Sequence, residues 1–116
     1  MKEVQKEIEY KGRKYPLVFN LNVMEEIQEE YGSISKWGEL TDGEETGEPD
    51  IKALIFGITA MINEGIDIKN DDEGTDIKPL TRKQAGRMLT EIGVENITAD
   101  MNDVVIESTK NDEKNA

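Results

Sequence analysis

Residues 4–19 read VQKEIEYKGRKYPLVF, and the way this stretch divides decides the fold. Val4, Ile8 and Tyr10 share one parity and Tyr15, Leu17 and Phe19 another, on either side of Lys11-Gly12. That alternation marks two half-buried strands joined by a tight turn, with Gly12 free to take a positive φ. A two-residue loop at 11–12 sets Tyr10 opposite Arg13, Ile8 opposite Tyr15 and Val4 opposite Phe19, so both apolar sets share one face. A slip of one residue would split them, which requires an even loop length. Pro16 has no N–H to give a ladder, so its nitrogen must face away from any neighbouring strand. A lone hairpin is marginal in water; this one, over residues 3–20, needs helices to cover it.

The rest of the chain supplies helices. Asn22 with Glu25 resembles a capping pair, and Leu21, Met24, Ile27 and Tyr31 recur at helical spacing, predicting a helix over 22–31 that Gly32 ends. Ser33 caps a short continuation over 34–40, in which Ile34, Trp37 and Leu40 share a side. TDGEETGEPD, residues 41–50, holds five acids, two Gly and one Pro, and reads as an exposed loop. Asp50 then caps a helix over 51–64 with a broad stripe of Ile51, Leu54, Ile55, Ile58, Met61 and Ile62. Its reverse is also apolar but small: Ala53, Phe56, Gly57 and Ala60. Such a helix belongs at the centre of a fold. Gly65 is expected to close it, followed by a second acidic loop over 66–79.

Thr81 and Gln84 form a capping box for a helix over 81–92, with Ala85, Met88, Leu89 and Ile92 inward and Gly93 as its stop. A last helix over about 98–107 follows from Ile97, Met101, Val104 and Val105, although Val104-Val105-Ile106 also fits a strand. Residues 108–116 read as a disordered polar tail. The expected architecture is α+β: an N-terminal β-hairpin packed on a small bundle of about four helices, in one domain over 1–107.

Composition narrows the chemistry. With 116 residues the chain fits a single domain, and its 35% hydrophobic content makes a lean core. Neither Cys nor His occurs, which removes disulfides, thiolate nucleophiles, the commonest transition-metal ligand and the side chain best suited to proton transfer near neutrality. The N-terminus alternates charge without the apolar run of a signal peptide, and no stretch is long and apolar enough for a bilayer, so a cytoplasmic protein without membrane contact is expected. The formal charge is −12, which repels phosphate backbones and gives no expectation of a nucleic-acid partner. An acidic middle, residues 21–64, lies between two mildly basic segments, 1–20 and 81–92, an arrangement that could be satisfied internally.

Tests for specific sites fail one by one. Counted from Asp67, a calcium loop would need an acidic or amide ligand at its third position and Gly at its sixth; Lys69 and Asp72 stand there. The many carboxylates cluster in Gly-rich loops or on an amphipathic helix, where they stay solvated. Ser33, Ser35 and Ser108 lack a His partner, and Gly43 and Gly47 sit among acids that would repel phosphate. The expectation is a non-catalytic protein without cofactor or metal. The positions that could anchor a partner are Trp37, on a short helix, and Phe56 beside Ala53, Gly57 and Ala60, since large aromatics next to small residues form the pockets that take partner side chains. The same residues serve equally as core, and for Phe56 that is the first expectation.

The order of parts resembles a known family. A hairpin EIEYKGRKYPLVFNL runs into a helix ending EEIQEEYGSISKW, then an apolar helix IKALIFGITAMINEG and a capped LTRKQAGRMLTEIG. With Tyr15, Leu17 and Phe19 in the strand, Glu30-Tyr31-Gly32 at a helix end and Leu80-Thr81 at a helix start, residues 5–105 are similar to the tail assembly chaperones of siphophages and related prophages. The two acidic stretches, 41–50 and 66–79, are longer than that pattern. The resemblance implies binding of the long tape measure protein in the host cytoplasm and help in recruiting tail tube subunits. Two other classes fit the composition: a structural tail or head-completion subunit, and an acidic DNA mimic that occupies a DNA-binding protein.

Overall fold

In the computed structural model, which describes residues 4–114, strands β1 (Val4–Tyr10) and β2 (Arg13–Phe19) pair antiparallel with Tyr10 opposite Arg13, Ile8 opposite Tyr15 and Val4 opposite Phe19. The turn residues Lys11 and Gly12 both have positive φ, 51° and 74°, the backbone a type I′ hairpin turn demands. The pair flanking such a turn is hydrogen-bonded and the pairs alternate from there, so Pro16, opposite Glu7, turns its nitrogen away from β1. Ile8, Leu17 and Phe19 enter the core as expected. Val18, of the other parity, is fully buried too, so β2 is covered from two directions.

Five helices follow: α1 (Leu21–Tyr31), α2 (Ile34–Asp42), α3 (Ile51–Glu73), α4 (Arg82–Ile92) and α5 (Val94–Lys114). The fold is α+β, a two-stranded hairpin followed by helices. The first cap is Asn20 rather than Asn22: its carboxamide oxygen accepts from the amides of Asn22 and Val23. Ile27 is buried as expected, but Leu21 is 67% exposed and Val23 is buried instead. The Ser33 cap of α2 and the Thr81–Gln84 box of α4 form as read, the latter through reciprocal bonds of 3.1 and 2.8 Å.

The expected helix over 51–64 is the largest correction. α3 continues through Gly65 to Glu73, where Gly74, at φ 67°, ends it. The apolar stripe carries on through Ile62 and Ile66, both buried, and Gly65 serves a different purpose from a stop. A Cβ there would fall 2.7 Å from the Pro16 ring and 3.3 Å from Val18, so the missing side chain lets α3 lie against β2. Pro16, with no amide hydrogen, also weakens the outer edge of β2 as a template for another strand.

Residues 75–80, which include the end of the acidic loop expected over 66–79, are strapped to α3. Asn63 donates to the Leu80 carbonyl and accepts from its amide, at 3.0 and 2.7 Å. Two turns on, Asn70 does the same for Ile77, at 3.0 and 2.9 Å. The 41–50 segment is exposed over most of its length but closes tightly, since the Asp50 amide bonds the Leu40 carbonyl at 2.8 Å.

α5 starts directly after Gly93 and buries Ile97, Met101 and Val104; Val104–Ile106 is helix, not strand. The tail expected at 108–116 is corrected at its start: Ser108 is fully buried in α5, and its hydroxyl donates to the Phe19 carbonyl at 3.2 Å. Residues 115–116 of that expected tail, and residue 3 of the expected hairpin, lie outside the described residues.

Candidate functional site

The five residues expected to receive a partner lie on α2 and α3, and the structure brings them together as an internal joint. Trp37 is 3% exposed, not displayed on the surface as a partner anchor would be. Its ring lies against Gly57, where no side chain would fit, and its indole N–H donates to the Ala53 carbonyl at 3.0 Å. Ala53 and Gly57 are buried and Ala60 nearly so. The small reverse face of α3 is therefore a socket, and Trp37 of the same chain fills it.

Phe56 alone among the five remains half exposed. It meets Tyr31 of α1 edge to face, with ring centroids 5.5 Å apart and planes at 82°, the arrangement the ring quadrupoles favour. Ile55, also half-buried, approaches Gly86 of α4, and Ile51 one turn earlier is 51% exposed. The Tyr31 hydroxyl is buried with no hydrogen-bond partner. Burial, followed by the charges of Asp50 and Glu30, pushes its pKa above the ordinary 10.0, with Arg82 opposing. The N-terminal half of α3 and the end of α1 thus leave an incompletely covered apolar patch: Tyr31, Ile51, Ile55 and Phe56. Sequence reasoning assigned Ile51 and Ile55 to the core stripe and missed this patch; the signal was a stripe too broad for one helix face to bury.

Beside it runs an acidic ridge from two helices. Burial first, then the charges of Glu64, Glu29, Asp67 and Glu25, raise the Glu26 carboxyl above its ordinary 4.5. Glu64 is held in place by the Asn20 and Asn22 carboxamides, at 2.6 and 2.9 Å. On the far side of the hairpin Lys6 joins Asp100 and Asp103 of α5 at 3.0 and 3.1 Å, and those hydrogen bonds raise its pKa. These are the only ion pairs among the described residues, so the basic segments do not neutralise the acidic middle. Also among the described residues, no group of three or more carboxylates is placed to hold a metal ion, and no helix is long and apolar enough to cross a membrane.

Comparisons of the chain with protein-family models, curated proteins and solved structures gave no match.

Proposed function

We infer that this chain is a non-catalytic assembly chaperone for a phage tail, binding a helical segment of the tape measure protein in the host cytoplasm and assisting tail tube assembly. The observation that carries the inference is the incompletely covered patch of exposed Ile51 and half-buried Tyr31, Ile55 and Phe56 on a chain of net charge −12. A tape measure protein exposes long amphipathic helices. A patch of aromatic and branched aliphatic side chains takes the apolar face of such a helix, while the surrounding acids keep the complex soluble. The resemblance of the hairpin-to-helix order supplies the identity of the partner.

Co-expression with the tape measure protein of the same genome, followed by pull-down at 0.05 and 0.5 M salt, tests this. Apolar contact predicts capture at both concentrations, and Ile51→Glu, an exposed position that leaves the core alone, should abolish it. Failure to capture the tape measure protein at either salt concentration would overturn the inference.

The acidic ridge favours a second possibility, a DNA mimic. Carboxylates set on two packed helices are held more firmly than carboxylates in a loop, and mimicry of phosphates needs fixed positions. Such a complex would form at low salt and dissociate at high salt, and would be captured as a DNA-binding protein in the same pull-down.

A further inference from the structure

Four of the chain's fourteen lysines and arginines line a single cleft. A cleft of about 740 Å³ opens between β2 and the 76–80 strap, with the second half of α3 as its floor. Arg13 and Lys14 stand on the β2 side, Lys69 on the floor and Lys78 on the strap, against a single acid, Asp76. All four cations are exposed, and none takes part in an ion pair among the described residues. In a protein of net charge −12 this lining is itself net positive, and the volume lies within the range of about 300–1,000 Å³ typical of ligand sites.

The cleft is also preformed. Its outer wall cannot swing away, because Asn63 and Asn70 hold both backbone groups of Leu80 and Ile77. Its inner wall is fixed by the contact of Gly65 with Pro16. Lysines on long stems above a rigid floor lose little on binding beyond their own rotamer freedom.

We propose that this cleft binds a carboxylate-rich peptide segment of a partner protein. The four cations set the sign of the ligand, and the backbone sets its chemistry. A phosphate cradle uses free amides at a nest or a helix start. Here the amides of Ile77, Leu80 and Gln84 are already bonded to Asn70, Asn63 and Thr81. What remains is four exposed cations around a lining that also holds Tyr15, Pro16, Ile77 and Pro79, which suits the carboxylates of an extended acidic peptide. The site is separate from the Tyr31–Phe56 patch and stands or falls independently of the tape measure inference.

The test uses a fluorescein-labelled hexaglutamate peptide titrated with the full chain at low salt, followed by anisotropy. Saturable binding is expected, despite the repulsion between two acidic molecules, and it should weaken on addition of salt. Lys69→Gln with Lys78→Gln should weaken it at least about fivefold, the scale of two surface ion pairs. Lys52→Gln, at the far end of α3, should leave it unchanged. These are exposed positions, and an unaltered melting curve confirms folding of each variant. No saturable binding, equal loss with Lys52→Gln, or displacement of the peptide by tripolyphosphate at lower concentration than by unlabelled hexaglutamate would overturn the proposal.

Discussion

Gly65 shows how one residue can carry opposite meanings locally and in the fold. Within a helix, replacing Gly by Ala gains about 1 kcal/mol from reduced backbone entropy in the unfolded chain. At this position the added methyl meets the Pro16 ring at 2.7 Å, and Pro16 has no flexible end to move aside. Overpacking of that kind costs about 1–3 kcal/mol, so the clash wins. Gly65→Ala is expected to lower the unfolding free energy in urea by about 1–2 kcal/mol. A gain in stability would mean that α3 and β2 are not in close register. Gly57 is the same device facing Trp37. Neither role was legible in the sequence. A glycine after an apolar stripe looks like a helix stop, and only the position of Pro16, about fifty residues earlier, shows that it is a spacer.

Elements held by local chemistry were legible, and those held by distant partners were not. The hairpin register follows from Lys11-Gly12 and the parity of residues 4–19, and the start of α4 from Thr81 and Gln84; in both, the deciding groups lie within one short window of sequence. The 75–80 strap depends on Asn63 and Asn70, which on the sequence are only a polar mark at the end of the apolar helix expected over 51–64 and one residue of the acidic loop expected over 66–79. Past the expected end of α5 at 107, Ser108 is buried and its hydroxyl reaches the Phe19 carbonyl. The basic cleft joins residues from three elements, so no window of sequence contains it. The strap carries its own prediction. Asn63→Ala removes both bonds to Leu80, at a net cost of about 1–2 kcal/mol, while Asn70 still holds Ile77. Amide exchange at Leu80 should accelerate at least tenfold and exchange at Ile77 much less. Equal acceleration at both sites would show that the strap opens as one unit, and no acceleration at Leu80 that packing alone holds it.

At the scale of the whole molecule, charge is the main unrelieved term. Lys6 joins two carboxylates at the surface, and the acids of α1 and α3 face each other without a cation between them. Their effect is concentrated on Glu26, whose carboxyl is raised above 4.5 by burial and by Glu64, Glu29, Asp67 and Glu25. An acid with a raised pKa in the folded state binds its proton more tightly there than in the unfolded chain. Its contribution to stability is therefore favourable below the ordinary carboxylate pKa, and it is lost as pH rises through the raised value. At pH 7 the ionised Glu26 opposes folding. Glu26→Gln should accordingly raise the melting temperature at pH 7, and the gain should shrink towards zero as pH falls below about 4.5, where the native side chain is also neutral. Salt offers an independent check, because screening weakens the repulsion from the four neighbouring carboxylates but leaves desolvation untouched. The advantage of the variant at pH 7 should thus fall between 0.05 and 0.5 M sodium chloride without vanishing. A gain indifferent to pH would assign the effect to packing of the amide, and a loss of stability at pH 7 would mean that Glu26 is held by a favourable contact.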